Sequence, residues 1–311
     1  MNRPLVVTPG DPHGIGPEVA VKALRDEAFD AVLVGDRAAI ADWADRAGLS
    51  WYEAKSVTES GSGVAIIEPE GVEAVEVRAL RFAVEACLDG SARGLVTGPI
   101  HKARLAAQGF RHPGHTEFLG ELCGVERPVM AFVGGRVRVA LVTVHLPLSQ
   151  VPRRLTSPLV RHTIEQAGRA CVDQLGIEKP RLAVCGLNPH AGDDGLLGHE
   201  DQAIIAPAVA EMRGAWDVFG PVSAENAFRA AVLGNTDLVV AMYHDQGLAP
   251  LKALEWARRD PLERAVNWTL GLPIVRTSVD HGTADDIAGQ GIADAASMRA
   301  AMRFADRLTQ V

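Results

Sequence analysis

Eight short apolar runs, four to eight residues long, recur along this chain with amphipathic segments between them, and that alternation limits the possible folds more than any other feature. Pro4 to Thr8, Ala31 to Val34, Val64 to Ile67, Gly94 to Thr97, Val129 to Val133, Val137 to Val144, Arg181 to Cys185 and Asp237 to Met242 read as strands. Between them, Gly16 to Arg25, Val72 to Leu88, Ser157 to Leu175 and Asp201 to Arg213 carry apolar residues at helical spacing. Runs this continuously apolar suit strands buried on both faces. The pattern therefore predicts an α/β fold with a mostly parallel sheet covered by helices.

A chain of 311 residues has room for two domains. No repeat, low-complexity tract or Ser/Gly linker separates them, so compact connections should cross the boundary, the first near Gly124 to Pro128. The expected division places 1–125 and about 245–311 in one domain and about 126–244 in the other. Glu255 to Arg264 (EWARRDPLER) is the most charged stretch of the second half and reads as a solvated surface loop.

Lys and Arg number 31 against 39 Asp and Glu, a net charge of −8. No global positive field is available for nucleic acid or an anionic membrane surface, and neither is expected as a partner. Met1 to Val7 enters the first strand without a signal-peptide core, and no uninterrupted apolar stretch is long enough to span a bilayer. Cys87, Cys123, Cys171 and Cys185 form no CxxC pair and read as buried, reduced thiols. A cytoplasmic location is expected. The charge balance leaves unexplained 31 Gly, 18 Pro and 10 His beside only 2 Tyr.

In parallel sheets ligands bind beyond the carboxyl ends of the strands. Three histidines occupy such positions: His145 in VALVTVHLPL, His190 in RLAVCGLNPHAG and His244 in DLVVAMYHDQG. Three neutral imidazoles suit zinc or another divalent transition metal, with coordination positions left for substrate. A second group suits an anion. GHTE puts His115 and Thr116 in a turn after Pro113, and Lys252, Asn267 and Arg276 follow in the last third. Lys252 lies in an apolar context, where a surface role is less natural, and Arg and Lys with hydroxyl and amide donors can hold a phosphate.

Two glycine-rich turns could let backbone approach a dinucleotide closely. GDPHGIGPE brings Gly10, Gly14 and Gly16, and DHGTADDIAGQGIAD brings His281, Gly282 and Asp286. Neither is GxGxxG or a P-loop.

Taken together, TPGDPHGIGPE, VTGPIHK, GHTEF, VHLPL, CGLNPHAG, AMYHDQG, NWTLGLP and RTSVDHGTA, in this order, resemble the 4-hydroxythreonine-4-phosphate dehydrogenase (PdxA) family of vitamin B6 biosynthesis along nearly the whole chain. The GIGPE turn and the HGTADDIAGQGIAD loop are also similar to segments of isocitrate and isopropylmalate dehydrogenases. That likeness implies two α/β/α domains with a cleft between them and a non-Rossmann way of holding NAD. The resemblance implies that His145, His190 and His244 ligate the metal, zinc or alternatively magnesium or cobalt. It also implies a homodimer with its active site at the subunit interface, to which His244 comes from the second subunit. His115, Thr116, Lys252, Asn267 and Arg276 are implied to bind the phosphorylated substrate, and the acceptor is NAD or NADP.

The implied reaction oxidises 4-phosphohydroxy-L-threonine and releases carbon dioxide. Lys102 in GPIHK and Asp245 beside His244 are the candidates for the base. Asp285 and Asp286 would repel a 2′-phosphate lying close to them, which favours NAD. Two departures bear on substrate identity: Glu225 stands where the family usually has Asp, and the span between Lys252 and Asn267 is longer than usual. Alternatives are D-threonate or D-erythronate 4-phosphate, an aromatic cis-dihydrodiol, or a non-catalytic metal-binding homologue.

Overall fold

The computed structural model describes residues 3–112, 114–258 and 264–310. Along the chain run β1 (Leu5–Thr8), α1 (Gly16–Asp26), β2 (Ala31–Val34), α2 (Arg37–Ala47), β3 (Trp51–Glu53), β4 (Val64–Ile67), α3 (Val75–Leu88), β5 (Gly94–Thr97), α4 (Lys102–Ala107) and α5 (His115–Leu122). Next come β6 (Val129–Gly134), β7 (Val137–Leu141), α6 (Val151–Arg154), α7 (Ser157–Asp173), β8 (Arg181–Cys185), α8 (Ala206–Met212), β9 (Asp217–Val222), α9 (Ala224–Val232), β10 (Leu238–Ala241), α10 (His244–Arg258) and β11 (Val266–Leu270). β12 (Arg276–Ser278) and α11 (Ala296–Leu308) close the chain.

Two units form. The first comprises 1–128 and 272–310, the second 129–271. The return to the first unit thus comes at Leu272 instead of near 245, because α10 and β11 pack on the second unit's strands. That assigns His244, Asp245, Lys252 and Asn267 to one unit.

In the first unit the strand order β3-β4-β2-β1-β5-β12 is parallel throughout. β1 and β5 are buried at every residue, and Val6, Val34, Ile67, Leu80 and Leu95 sit in its core. In the second, β11-β6-β7-β10-β8-β9, the pairs β11/β6 and β6/β7 are antiparallel and the others parallel. Phe132, Val139, Leu141, Ala183 and Val239 share its core. A hairpin between β6 and β7 needs only the short Gly134–Val137 connection, which is why this half is mixed.

Several expectations are corrected. The predicted strand to Val144 stops at Leu141, and the helix expected from Val72 starts at Val75. The helix expected from Asp201 opens with a π-helical turn, Asp201–Ile205, before α8. The predicted loop at Glu255 is helix through Arg258, and residues 259–263 lie outside the described residues. Cys171 and Cys185 are buried as expected, whereas Cys87 and Cys123 are half-buried; all four are free. Burial pushes the Cys87, Cys171 and Cys185 thiols up to about 12, so they stay protonated.

Candidate functional site

In the first unit, the neighbouring strands β1, β5 and β12 bring three loops together at their carboxyl ends. Backbone bonds tie them: Gly98 N to Thr8 O at 2.7 Å, Asp11 N to Pro99 O at 3.0 Å and Ile15 N to Thr283 O at 3.0 Å. The glycines are there for space. A Cβ on Gly10 would lie 2.1 Å from Pro99 O, one on Gly16 1.9 Å from Pro9 O, and one on Gly98 2.1 Å from Pro9 O. Gly14 faces Thr283 at 2.9 Å in the same way, so these three predicted glycines have an internal packing reason to be glycine. Gly282 is different: nothing lies within 4 Å of where its Cβ would stand. His281 Nδ1 is 2.9 Å from Gly282 O, while its Nε2 is buried with no hydrogen-bond partner. Asp286 is exposed and its carbonyl accepts from Gln290.

Arg276, on β12, is 2% exposed. Its Nη2 donates to Thr97 Oγ1 at 2.6 Å and lies 3.5 Å from His115 Nδ1. His115 and Thr116 do not form a turn as predicted; they head α5, behind the extended Gly114. A helix start exposes unsatisfied N–H groups and carries partial positive charge, which suits an anion. Lys102 reaches the same place, since a Cβ on Gly114 would lie 3.9 Å from its Cε. Burial and then the charges of Arg276 and Lys102 pull His115 down to about 3, so the imidazole is neutral at physiological pH. Burial also lowers the Arg276 guanidinium to about 9, still charged near neutrality.

In the second unit the ring centroids of His145 and His244 stand 5.6 Å apart within one chain. His244 heads α10, and its Nδ1 lies 2.8 Å from Asp245 Oδ1. An ionised carboxylate can only accept, so Nδ1 carries the proton and Nε2 keeps its lone pair for a ligand. His190 sits in a left-handed turn: His190, Ala191, Gly192, Asp193 and Asp194 have φ of 52°, 55°, 84°, 44° and 53°. Among the described residues no group of three or more His, Cys, Asp or Glu side chains is gathered as a metal would hold them. The expected convergence of three imidazoles is thus present only as the His145–His244 pair.

Two residues missed in the sequence position these loops. Asp201, 0% exposed, accepts from Leu187 N at 2.8 Å, Asn188 N at 3.1 Å and Asn188 Nδ2 at 3.0 Å, just before the His190 turn. Gln246 accepts from Met242 N at 2.6 Å and donates to Gly186 O at 2.7 Å, joining the ends of β10 and β8. Their only sequence signal is polarity beside a strand-end motif, which many solvated residues share.

Lys252 is not isolated in an apolar setting. Its Nζ lies 3.0 Å from Glu255 Oε2, and that 5% exposed carboxylate also faces Arg264 at 3.8 Å. Asn267 is half-buried in β11 opposite Phe132. Glu225 is exposed in the first turn of α9. Asp285 is held at about 2, chiefly by hydrogen bonding from Arg104, so its charge is already countered and argues little against a 2′-phosphate.

Parallel strands with glycine-rich turns at their carboxyl ends, a buried arginine and strand-end histidines describe an α/β dehydrogenase fold. The family model for the pyridoxal phosphate biosynthetic protein PdxA matches residues 23–305. The chain belongs to the PdxA family. It is 43% identical over 332 residues to 4-hydroxythreonine-4-phosphate dehydrogenase of Geobacter metallireducens, covering 99% of this chain and 96% of the relative. The crystal structure of 4-hydroxythreonine-4-phosphate dehydrogenase from Klebsiella pneumoniae superposes with a TM-score of 0.89 at 34% identity, covering 100% and 99% of the two chains. A terephthalate 1,2-cis-dihydrodiol dehydrogenase from Burkholderia xenovorans is more distant, with a TM-score of 0.68 at 28% identity over 97% of each chain.

Proposed function

We propose that this chain oxidises 4-phosphohydroxy-L-threonine with NAD or NADP to 2-amino-3-oxo-4-phosphooxybutanoate, which loses carbon dioxide to give 3-amino-2-oxopropyl phosphate in pyridoxal phosphate biosynthesis. The observation that carries this reading is the buried Arg276 joined to Thr97 and His115 at the head of α5, in a chain of the PdxA family. Desolvation there was met by folding, so a phosphate meets donors already in place. Arg276, His115 and Thr116 hold the phosphate, with Lys252 and Asn267 as further substrate ligands. The neutral His115 gives hydrogen bonding without a second buried cation.

The donor chemistry of His145, His190 and His244 fits a divalent ion: all three lie at strand ends, and Asp245 leaves His244 Nε2 ready to ligate. We also propose a homodimer with its active site at the subunit interface, where the His145–His244 pair of one chain is completed. When bound, zinc, or alternatively magnesium or cobalt, supplies Lewis-acid polarisation of the substrate hydroxyl, and the nicotinamide accepts the hydride. Asp245 is committed to orienting His244. Lys102, beside Gly114 and His115, is therefore the better candidate to move the hydroxyl proton. The two glycine-rich loops, through Gly10, Gly14, Gly16, His281, Gly282 and Asp286, form the dinucleotide side. Among the described residues no helix is long and apolar enough to cross a membrane, and we place the enzyme in the cytoplasm.

The test is NADH formation with 4-phosphohydroxy-L-threonine, D-threonate 4-phosphate, D-erythronate 4-phosphate and terephthalate cis-dihydrodiol, each with and without added zinc. The highest kcat/KM on 4-phosphohydroxy-L-threonine is expected. A higher value on any other compound overturns the substrate assignment.

A further inference from the structure

The two glycine-rich loops stand about 270 residues apart in sequence, and one side chain bridges them. Arg104, on α4, places Nε 2.7 Å from Asp11 Oδ2 in the first loop. Its Nη1 and Nη2 each lie 2.9 Å from a separate oxygen of Asp285 in the second, a bidentate pair. His101 Nε2 adds a contact to Asp285 at 3.6 Å and caps α4 by accepting from Arg104 N through Nδ1. Asp11 in turn accepts from His13 N at 2.9 Å. The bridge is therefore fixed at its root by a helix cap and at both ends by loop backbone or paired oxygens.

Isolated surface ion pairs contribute little, but this one departs from that class in two respects. Asp11 is 1% exposed, so losing its partner would strand a buried carboxylate. The guanidinium also makes a fork with Asp285, a geometry that lysine cannot reproduce. The second loop, Thr283 to Gly291, carries two glycines at positive φ, Gly289 and Gly291, and among the described residues a single backbone bond, Ile15 N to Thr283 O, joins it to the first loop, so the Arg104 bridge is its main side-chain tie there.

We infer that Arg104 is a positioning residue for the nicotinamide cofactor, holding the two glycine-rich loops in the spacing at which they bind a dinucleotide. The inference rests on the proposed reading of these loops as the dinucleotide side. It assigns Arg104 no contact with substrate and no share in the chemistry.

The experiment compares full-length wild-type protein with Arg104→Ala, Arg104→Lys and Asp285→Asn. Hydrogen–deuterium exchange is followed across residues 283–291 without cofactor, and NAD binding and steady-state kinetics are measured in parallel. Arg104→Ala should speed exchange in that loop and raise the Kd and KM for NAD by about tenfold, with kcat within about twofold and the KM for phosphorylated substrate unchanged. Arg104→Lys, which keeps the charge and the Asp11 end, should fold in any case and fall between the two. Asp285→Asn should reproduce the exchange effect while leaving the Asp11 contact. Wild-type exchange in the variants' loops, or an unchanged Kd for NAD, overturns the inference. Failure of the underlying reading looks different: the wild-type loops would then gain no protection on adding NAD, whatever the variants do.

Discussion

Arg276 and His190, to which we assign the anion and the metal, are built in opposite ways: one is 2% exposed and hydrogen-bonded, and the other stands exposed in a left-handed turn. Around Arg276 the cost of removing charge from water is met during folding, with Thr97, His115 and the start of α5 arranged before any ligand arrives. Around His190 the side chain remains in water, and what is fixed in advance is the backbone. Four non-glycine residues in left-handed conformation each cost about 1–2 kcal/mol, and the buried Asp201 is the group that holds the adjoining strand end against that strain. In the proposed reading, anion capture is stored in a buried side chain and the ligating imidazole in a strained loop.

Substitutions can break this contrast at either end. His190→Gly should have the largest effect on turnover, abolishing zinc binding and activity, while raising stability by about 1 kcal/mol because glycine accepts positive φ. Calorimetry and metal titration on one preparation check both halves, and full activity without metal would remove His190 from the reaction. Arg276→Lys keeps the charge but loses the fork, and kcat/KM should fall about a hundredfold. A loss of less than about threefold would mean that the phosphate is held elsewhere.

Asp201→Ala should weaken zinc binding by about 10-fold to 100-fold and cost about 2 kcal/mol of stability. Unchanged protection of the Leu187 and Asn188 amides in exchange measurements would show that the carboxylate does not anchor the turn. Lys252→Ala should raise the KM for the phosphorylated substrate about fivefold with little change in kcat, the modest size reflecting the counter-charge that Glu255 already provides. An unchanged KM would exclude Lys252 from substrate binding.

The last effect appears only below neutral pH. The folded pKa of His115 is lowered from 6.5 to about 3. Between those values the unfolded chain binds the proton and the folded chain does not, so stability declines as pH falls through that window. His115→Gln should flatten that decline in Tm against pH, and a decline of equal slope in the variant would assign it to other groups.

The strands Ala31–Val34, Val64–Ile67, Gly94–Thr97 and Arg181–Cys185 were legible to the residue, because central parallel strands must be apolar throughout and glycine or polar residues mark their ends. β3 escaped because an edge strand of Trp51, Tyr52 and Glu53 need not be apolar. α10 escaped because its charged end buries Glu255 between Lys252 and Arg264, and charge alone reads as solvent exposure. Local motifs marked Arg276, His115 and the three histidines. Asp201, Gln246 and Arg104 act through partners between 13 and 181 residues away or through nearby backbone, and nothing in their own neighbourhoods announces it.

The interlocked turns at Gly10, Gly16 and Gly98 have a consequence for how freely this chain can drift in sequence. Each presses a missing side chain against a neighbouring carbonyl at about 2 Å, and the three closures share Pro9 and Pro99. Even alanine at any one of them would have to push main chain apart, and a compensating change elsewhere cannot shrink a carbonyl. A saturation library selected for folded protein should therefore return glycine alone at these positions, whatever cofactor or substrate the survivors use.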